Sequence, residues 1–292
     1  MLDLFTVSRG ARRPDSERGD YPVVRRVIEC VASHPRASPS LEDVSEHLGL
    51  AASHLRLLFA RWAGSTPEAF LRAITAEHRR DLLCDVAGVI EAARHGAVSD
   101  QIRPRELFVT HEATKPGDDR HASLRLSYGF HPSPFGESII VAAPRGLAGL
   151  GFVDDGDRAV ALADMRRRWP LAALIADHAA TAPLAARAFD PRRWRPDAPE
   201  RVVLIGGAFE RLVWEVLLMV PMGRATTYSD IARHLGKPTA ARAVGGAVAR
   251  NPISFVVPCH RVLGRSGALT GYHWGLTRKQ AMIAWEAGRT AG

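Results

Sequence analysis

The chain has 292 residues, is 46% hydrophobic and 24% charged, and carries a formal net charge of +8. This is room for two or three domains of ordinary globular composition, with no apolar stretch long enough to span a membrane. The start of the chain, with Asp3 in a broken apolar pattern, lacks the apolar region of a secretory signal, so a cytoplasmic, nucleoid-associated protein is expected.

Residues 1–20 are rich in Arg, Gly, Asp and Ser and read as a flexible tail. From Tyr21 the pattern is helical, with Val23, Val24, Val27, Ile28 and Val31 recurring on one face. Ser40 followed by Asp43 offers a capping-box start for a helix with the stripe Leu41, Val44, Leu48. Gly49 then gives a turn, and Ser53 to Trp62 reads as the next helix, burying Leu55, Leu58 and Phe59. Helix, glycine turn, helix is a helix-turn-helix outline. His54, Arg56 and Arg61 fall off its apolar face and are candidate DNA contacts. The run from Ser40 to Leu83, with Gly49-Leu50, Leu58-Phe59, Gly64-Ser65-Thr66-Pro67 and Phe70-Leu71, resembles an AraC-type DNA-binding domain. The resemblance implies an all-α domain over 21–112, with promoter DNA as a partner. Its two helix-turn-helix units would share one long helix, Glu68 to Cys84. The second unit would run from about Val86 to Val109, anchored by Glu91-Ala92-Ala93 and Leu107-Phe108.

A polar Pro/Gly segment over 113–120 reads as a linker. Residues 121–200 read as an α/β subdomain. Three strand-like runs fall over 123–153, a helix runs from Asp157 to Trp169, a short apolar segment from Leu171 to Ala176, and a helix from Pro183 to Phe189. His131, Asp154, Asp155 and Asp157 read there as turn residues, and the basic, aromatic run 192–196 as packing or linker.

Residues 201–292 hold 12 Lys+Arg against 4 Asp+Glu. The basic excess therefore sits in this segment, a face for DNA or simply for solvent. Phe209, Leu212, Val213, Val216, Leu217 and Val220 form one helical face, Thr227 can cap a helix through Leu235, and Ala240 to Arg250 is another short helix. Arg242 stands near the start of that helix, where it projects from the surface. Pro258-Cys259-His260-Arg261 follows the apolar run 253–257. A histidine and positive charge beside a thiol favour its reactive thiolate. The other cysteines, Cys30 and Cys84, lie far apart in helical stretches and read as inert, so no metal site is expected.

Together these blocks resemble the methylated-DNA–protein-cysteine methyltransferases. The resemblance rests on Thr227-Tyr228-Ser229-Asp230-Ile231-Ala232, Ala241 to Ala247, Asn251-Pro252-Ile253, Pro258 to Val262, Gly271-Tyr272 and the tail from Arg278-Lys279 to Trp285-Glu286. It implies a ribonuclease-like N-terminal subdomain over 121–200 and an α-rich, winged-helix-like catalytic domain over 201–292. With the AraC-like segment, the whole chain resembles the Ada branch of these proteins. That branch's zinc domain needs four cysteines, and two lie outside the catalytic domain, so its phosphotriester sensor is not expected here.

The implied activity is direct repair of O6-methylguanine, with O4-methylthymine as a further substrate, in double-stranded DNA. A buried methyl requires extrusion of its nucleotide. Arg242 would fill the vacated stack and Tyr228 help rotate the nucleotide out. Cys259 would be the nucleophile, with His260, oriented by Glu286 and acting through a water, favouring its thiolate. Asn251 would order the active-site turn, and Val262 and Tyr272 line the alkylguanine pocket. Arg261 reads as a structural ion-pair residue. His273 stands where many members have a small residue or arginine, which bears on pocket size. The S-methylcysteine product is a thioether, so a monomer consumed after one turnover, with no cofactor, is expected. The alternative is a transcriptional regulator that uses the alkyltransferase domain as a lesion sensor.

Overall fold

Tyr21 and Pro22 open the first helix, α1 (Tyr21–Ala32), with proline in the turn that has no backbone donor to lose. The computed structural model describes residues 19–33, 39–84, 88, 107–113, 124–190 and 200–290. The expected tail and most of the second helix-turn-helix unit lie outside them, as does the basic run 192–196. The Ser40–Asp43 capping box opens α2 (Leu41–Leu48), and Gly49 closes it at φ 64, a left-handed conformation that glycine adopts without Cβ strain. α3 (Ala52–Ala63) buries Leu55, Leu58, Phe59 and Trp62. The first helix-turn-helix outline is thus present in the backbone.

The long helix expected from Glu68 to Cys84 is instead two short ones, α4 (Pro67–Ala73) and α5 (Ala76–Asp81). Thr75 caps the second, its Oγ1 accepting the His78 N–H. The Ile74 carbonyl at the break accepts bonds from Arg79 and from Gln280 of the C-terminal helix. A local cap and a distant donor together outweigh helical continuity.

Residues 107–113 are also not a helix-turn-helix anchor. They form a strand, β1 (Leu107–Ala113), paired in parallel with β6 (Glu200–Gly206). With β2 (Arg125–Ser133), β3 (Gly136–Ala143), β4 (Gly146–Phe152) and β5 (Ala173–Ala176) they build one sheet, ordered β1-β6-β4-β3-β2-β5. The sheet therefore takes strands from both sides of the boundaries expected at 112 and 200. α6 (Arg158–Arg168) starts at Asp157, as expected. α7 (His178–Ala188) starts five residues before Pro183 and encloses it, because the Asp177 side chain caps the Ala180 N–H. His131 is buried in β2 with Nε2 against Thr181 Oγ1 at 2.8 Å, rather than in a turn.

The remainder is largely helical: α8 (Ala208–Met219), α9 (Tyr228–His234) capped by Thr227, α10 (Ala241–Ala249) and the long α11 (Leu276–Thr290). Between α10 and α11 lie a single 3-10 turn, Cys259–Arg261, and β8 (Val262–Leu263), which pairs with β7 (Thr226–Thr227). The three parts meet at Phe135 in the β2–β3 turn. Its ring contacts Trp62 of α3, Phe152 of β4, Phe255 beside the 3-10 turn and Trp285 of α11. Aromatic packing of this kind adds to the burial of apolar area. No described helix is long and apolar enough to cross a membrane.

Candidate active site

The turn before Cys259 is held from two sides. Asn251 sits at its root, fully inside the protein. Its Oδ1 accepts the Ile253 N–H at 3.0 Å and its Nδ2 donates to the Val257 carbonyl at 2.8 Å. Strand β4 grips the same turn, with Leu150 N–H donating to the Pro252 carbonyl and Ser254 N–H to the Leu150 carbonyl. Phe255 is forced to φ 69, a strained conformation for a residue with a side chain. Its ring lies parallel to that of His260, with centroids 5.7 Å apart. The sheet thereby fixes the depth at which the next residues sit.

Cys259 and His260 are both buried. Burial pushes the Cys259 thiol up, against opposing help from Asn251, Lys279, Tyr272 and Ser254. Burial also lowers the proton affinity of His260, against the pull of Glu286. A neutral imidazole beside an unionised thiol is a base waiting for a proton. His260 Nε2 lies 2.8 Å from Glu286 Oε1. Donation from Nε2 leaves Nδ1 as the accepting nitrogen, and Nδ1 is buried with no hydrogen-bond partner among the described residues.

Burial alone would raise the Glu286 carboxyl, but Arg261 and His260 outweigh it and hold it at about 2. Arg261 donates to both carboxylate oxygens, at 3.1 Å from Nε and 2.7 Å from its terminal nitrogen, and to the Val220 carbonyl at 2.6 Å. The expectation of a structural ion pair at Arg261 fits this geometry. The pair is buried, so its value lies in keeping Glu286 ionised and fixed.

A cavity of about 340 Å³ opens onto Cys259. Tyr228, Gly245, Asn251, Ser254, Tyr272 and His273 are among its walls. Tyr228 donates or accepts across it to Thr270 Oγ1 at 2.9 Å. Val262, expected in the wall, is instead completely buried behind it, and its carbonyl accepts a bond from Lys279 Nζ at 2.7 Å. Both residues of β8 are buried, and Val262 packs in the main hydrophobic cluster. Arg242, in the first turn of α10, is exposed. His273 lies at the rim, its Nε2 3.0 Å from Asp164. Arg168 joins Asp164 to the carbonyls of Arg250 and Asn251.

Lys279 escaped the sequence reading as a site residue. Its ammonium is wholly buried, donates to the Val262 and Thr270 carbonyls, and is lowered by burial to about 8. It is also among the groups that make the Cys259 thiolate easier to form. The signal available was a lysine within a helix whose neighbours Ala281, Met282 and Ile283 are all apolar.

The segment that carries these residues has known relatives. Residues 208–288 match the model of the 6-O-methylguanine DNA methyltransferase DNA-binding domain. The regulatory protein ada of Salmonella typhimurium is 26% identical over 285 residues, 94% of this chain and 78% of that one. The chain belongs to the Ada-type methylated-DNA–protein-cysteine methyltransferases. A second Ada relative, the bifunctional transcriptional activator/DNA repair enzyme of Escherichia coli, is 26% identical over 85% of this chain and 70% of its own length. A methylated-DNA–protein-cysteine methyltransferase from Mycolicibacterium paratuberculosis is 54% identical over 83 residues, 28% of this chain and half of that protein. Within the Ada-type chain, Cys259, His260, Asn251 and Glu286 come together around one turn, and Tyr228 and Tyr272 line its cavity, while Arg242 stands exposed on the helix that carries the lining Gly245. Of the candidate contacts in α3, His54 is exposed, Arg56 faces Glu68 at 3.8 Å, and Arg61 is ion-paired with Asp20.

Proposed function

We propose that this Ada-type protein repairs O6-methylguanine in double-stranded DNA by taking the methyl group irreversibly onto Cys259. The observation that carries the reading is a cavity that opens onto Cys259, beside a buried His260 held by Glu286 at 2.8 Å, with the exposed Arg242 one helical turn before Gly245 of the cavity wall. His260, acting through a water, takes the thiol proton, and the resulting imidazolium is stabilised by Glu286. The sulfur attacks the methyl carbon in line, a C–S bond forms and the C–O6 bond breaks. The electron pair goes to the guanine, which recovers the proton. The net exchange is thiol plus methylguanine to methyl thioether plus guanine. A thioether is a poor leaving group, so each molecule acts once. Arg242 occupies the stack while the nucleotide is out, and Tyr228 guides its rotation.

The α1–α5 unit supports a second role as an AraC-type DNA-binding module. Its α2–Gly49–α3 turn has helix-turn-helix form, and the exposed His54 and Leu57, three residues apart, share a face of α3. Such a face contacts phosphates and base edges, and promoter DNA is the partner it fits. The repair reading is tested by intact-protein mass after mixing with excess duplex carrying one O6-methylguanine, followed by peptide mapping. One added methyl group, on Cys259 and never exceeded, is the expected result. An unchanged mass with DNA still bound would favour a regulator that only senses the lesion.

A further inference from the structure

The loop between β8 and α11 forms one side of the cavity. It runs from Gly264 through Thr270, the partner of Tyr228, into the lining residues Gly271, Tyr272 and His273. Its outer side does not face solvent alone. Arg79 of α5, 8% exposed, donates from Nε to the Gly267 carbonyl at 2.9 Å and from a terminal nitrogen to the Ile74 carbonyl at 2.6 Å. One guanidinium thus ties the loop to the helical unit. Gly267 stands at φ 74, and a Cβ there would lie 2.8 Å from Arg80 Cγ and 3.2 Å from the Ala76 carbonyl. Two residues on, Leu269 packs with Leu82, Leu83, Leu263 and Ile283.

The same stretch reaches the opposite wall. Leu83 bridges to Ala225, whose N–H donates to the Leu82 carbonyl at 2.8 Å and whose carbonyl accepts from Cys84 N–H at 2.9 Å. Ala225 leads directly into Thr226-Thr227 and the cap of the helix that bears Tyr228.

We infer that Arg79, a residue of the N-terminal helical unit, is a positioning residue for the alkylguanine pocket, holding the 264–270 loop at the height that places Thr270 and Tyr272 around the base. The inference rests on the repair chemistry proposed for Cys259. It makes the helical unit part of the transferring machinery as well as a binding module. Arg79 touches no reacting atom. It acts through the loop, and in-line attack tolerates little misplacement: an error of about 1 Å costs on the order of 100-fold in rate.

The test compares the full chain with Arg79→Met, Arg79→Lys and Gly267→Ala. Single-turnover methyl transfer is followed by mass, with a duplex containing one O6-methylguanine and with free O6-methylguanine base. The free base needs neither extrusion nor a helix-turn-helix contact, so it reports on the pocket alone. Arg79→Met, which keeps an apolar stem and loses both donors, is expected to lower the maximal rate roughly 10- to 100-fold on both substrates. Half-saturating duplex should shift by less than about twofold. Arg79→Lys should recover part of the loss, and Gly267→Ala, which pushes the loop off α5 from the other side, should reproduce it. A folded Arg79→Met with wild-type maximal rate on free base overturns the inference. If Arg79→Met does not fold, wild-type rates for Gly267→Ala overturn it equally. A wild-type chain that never gains the methyl on Cys259 overturns the repair reading itself, a separate result.

Discussion

Trp285 donates its indole N–H to the Trp62 carbonyl at 2.8 Å, across 223 residues of chain. The next residue along α11, Glu286, holds His260 on the other side. One turn of one helix therefore faces both the helical unit and the nucleophile. The aromatic cluster of Phe135, Phe255 and Trp285 fills the space between. The helix is thus packed between the two, and a change on either face is felt as a shift of a close-packed body rather than a local adjustment.

Glu286→Gln should slow methyl transfer and flatten the acid limb of stability. The carboxyl sits at about 2 in the folded protein, below its ordinary 4.5. A depressed carboxyl contributes stability that is fully present above the ordinary value and is lost as pH falls through the folded one. The window is thus about pH 4.5 down to about 2, and the contribution is on the order of 3 kcal/mol. Denaturant midpoints at pH 6, 4 and 3 check this. The wild type should lose stability steeply over that range and the glutamine variant much less. At neutral pH the variant should already be weaker, because Arg261 keeps its charge in a buried site without a counter-charge.

Asn251→Ala removes the amide that closes the active-site turn. It leaves the buried Ile253 N–H and Val257 carbonyl without those bonds, at a cost of about 1–3 kcal/mol. Asn251→Asp is the sharper probe. A carboxylate still accepts from Ile253 but cannot donate to Val257, so the turn with its strained Phe255 remains open on one side. Both variants should transfer methyl more slowly than wild type, measured per folded molecule. Equal rates for Asn251→Asp and wild type would show that the Val257 bond is dispensable.

Arg242→Ala should act on duplex DNA and not on free O6-methylguanine base. The side chain is exposed at the start of α10. Its effect comes from occupying the stack that the extruded nucleotide leaves. Stability should change by no more than a few tenths of a kcal/mol. A comparable loss on both substrates would move Arg242 out of the extrusion role.

The chemistry of this site was legible because its residues are near neighbours in sequence. Asn251, Cys259, His260 and Arg261 lie within one short segment, and Glu286 follows on the next helix. The capping box at Ser40 and the cap at Thr227 were equally local and appear as expected. What the sequence hid is long-range. Arg79 bonds Gly267 across 188 residues, and Gln280 reaches Ile74 across 206. Neither pairing leaves a periodic trace. The break at Ile74-Thr75 did carry a local clue, since threonine is a good N-cap, but a helical reading of 68–84 ran through it. At 107–113 the β-branched and aromatic residues Phe108, Val109 and Thr110 favour a strand, which a helix-turn-helix resemblance overrode. The methyltransferase resemblance implies Val262 in the pocket wall, whereas in the structure it belongs to the main hydrophobic cluster.

His273→Ala should widen the pocket at little cost to the fold. The ring lines the cavity, is 40% exposed, and is held to Asp164. Asp164 keeps Arg167 and Arg168 as partners when the imidazole is gone. Burial opposes ionisation of Asp164, but His273 and Arg168 hold the carboxyl well below its ordinary range, and Arg168 remains in the variant. Losing one hydrogen bond from a half-exposed ring to a carboxylate that keeps its arginine partners should cost about 1 kcal/mol, and the melting temperature should fall by only a few degrees. Transfer from a duplex carrying O6-benzylguanine should rise relative to transfer from O6-methylguanine, since the removed ring stood where the larger alkyl group must pass. Lys279 and Tyr272 remain in place, so the absolute rate with the methyl lesion should stay within about threefold of wild type. An unchanged benzyl-to-methyl ratio would mean that His273 does not set pocket size and that other lining residues, Tyr228 and Tyr272 among them, do.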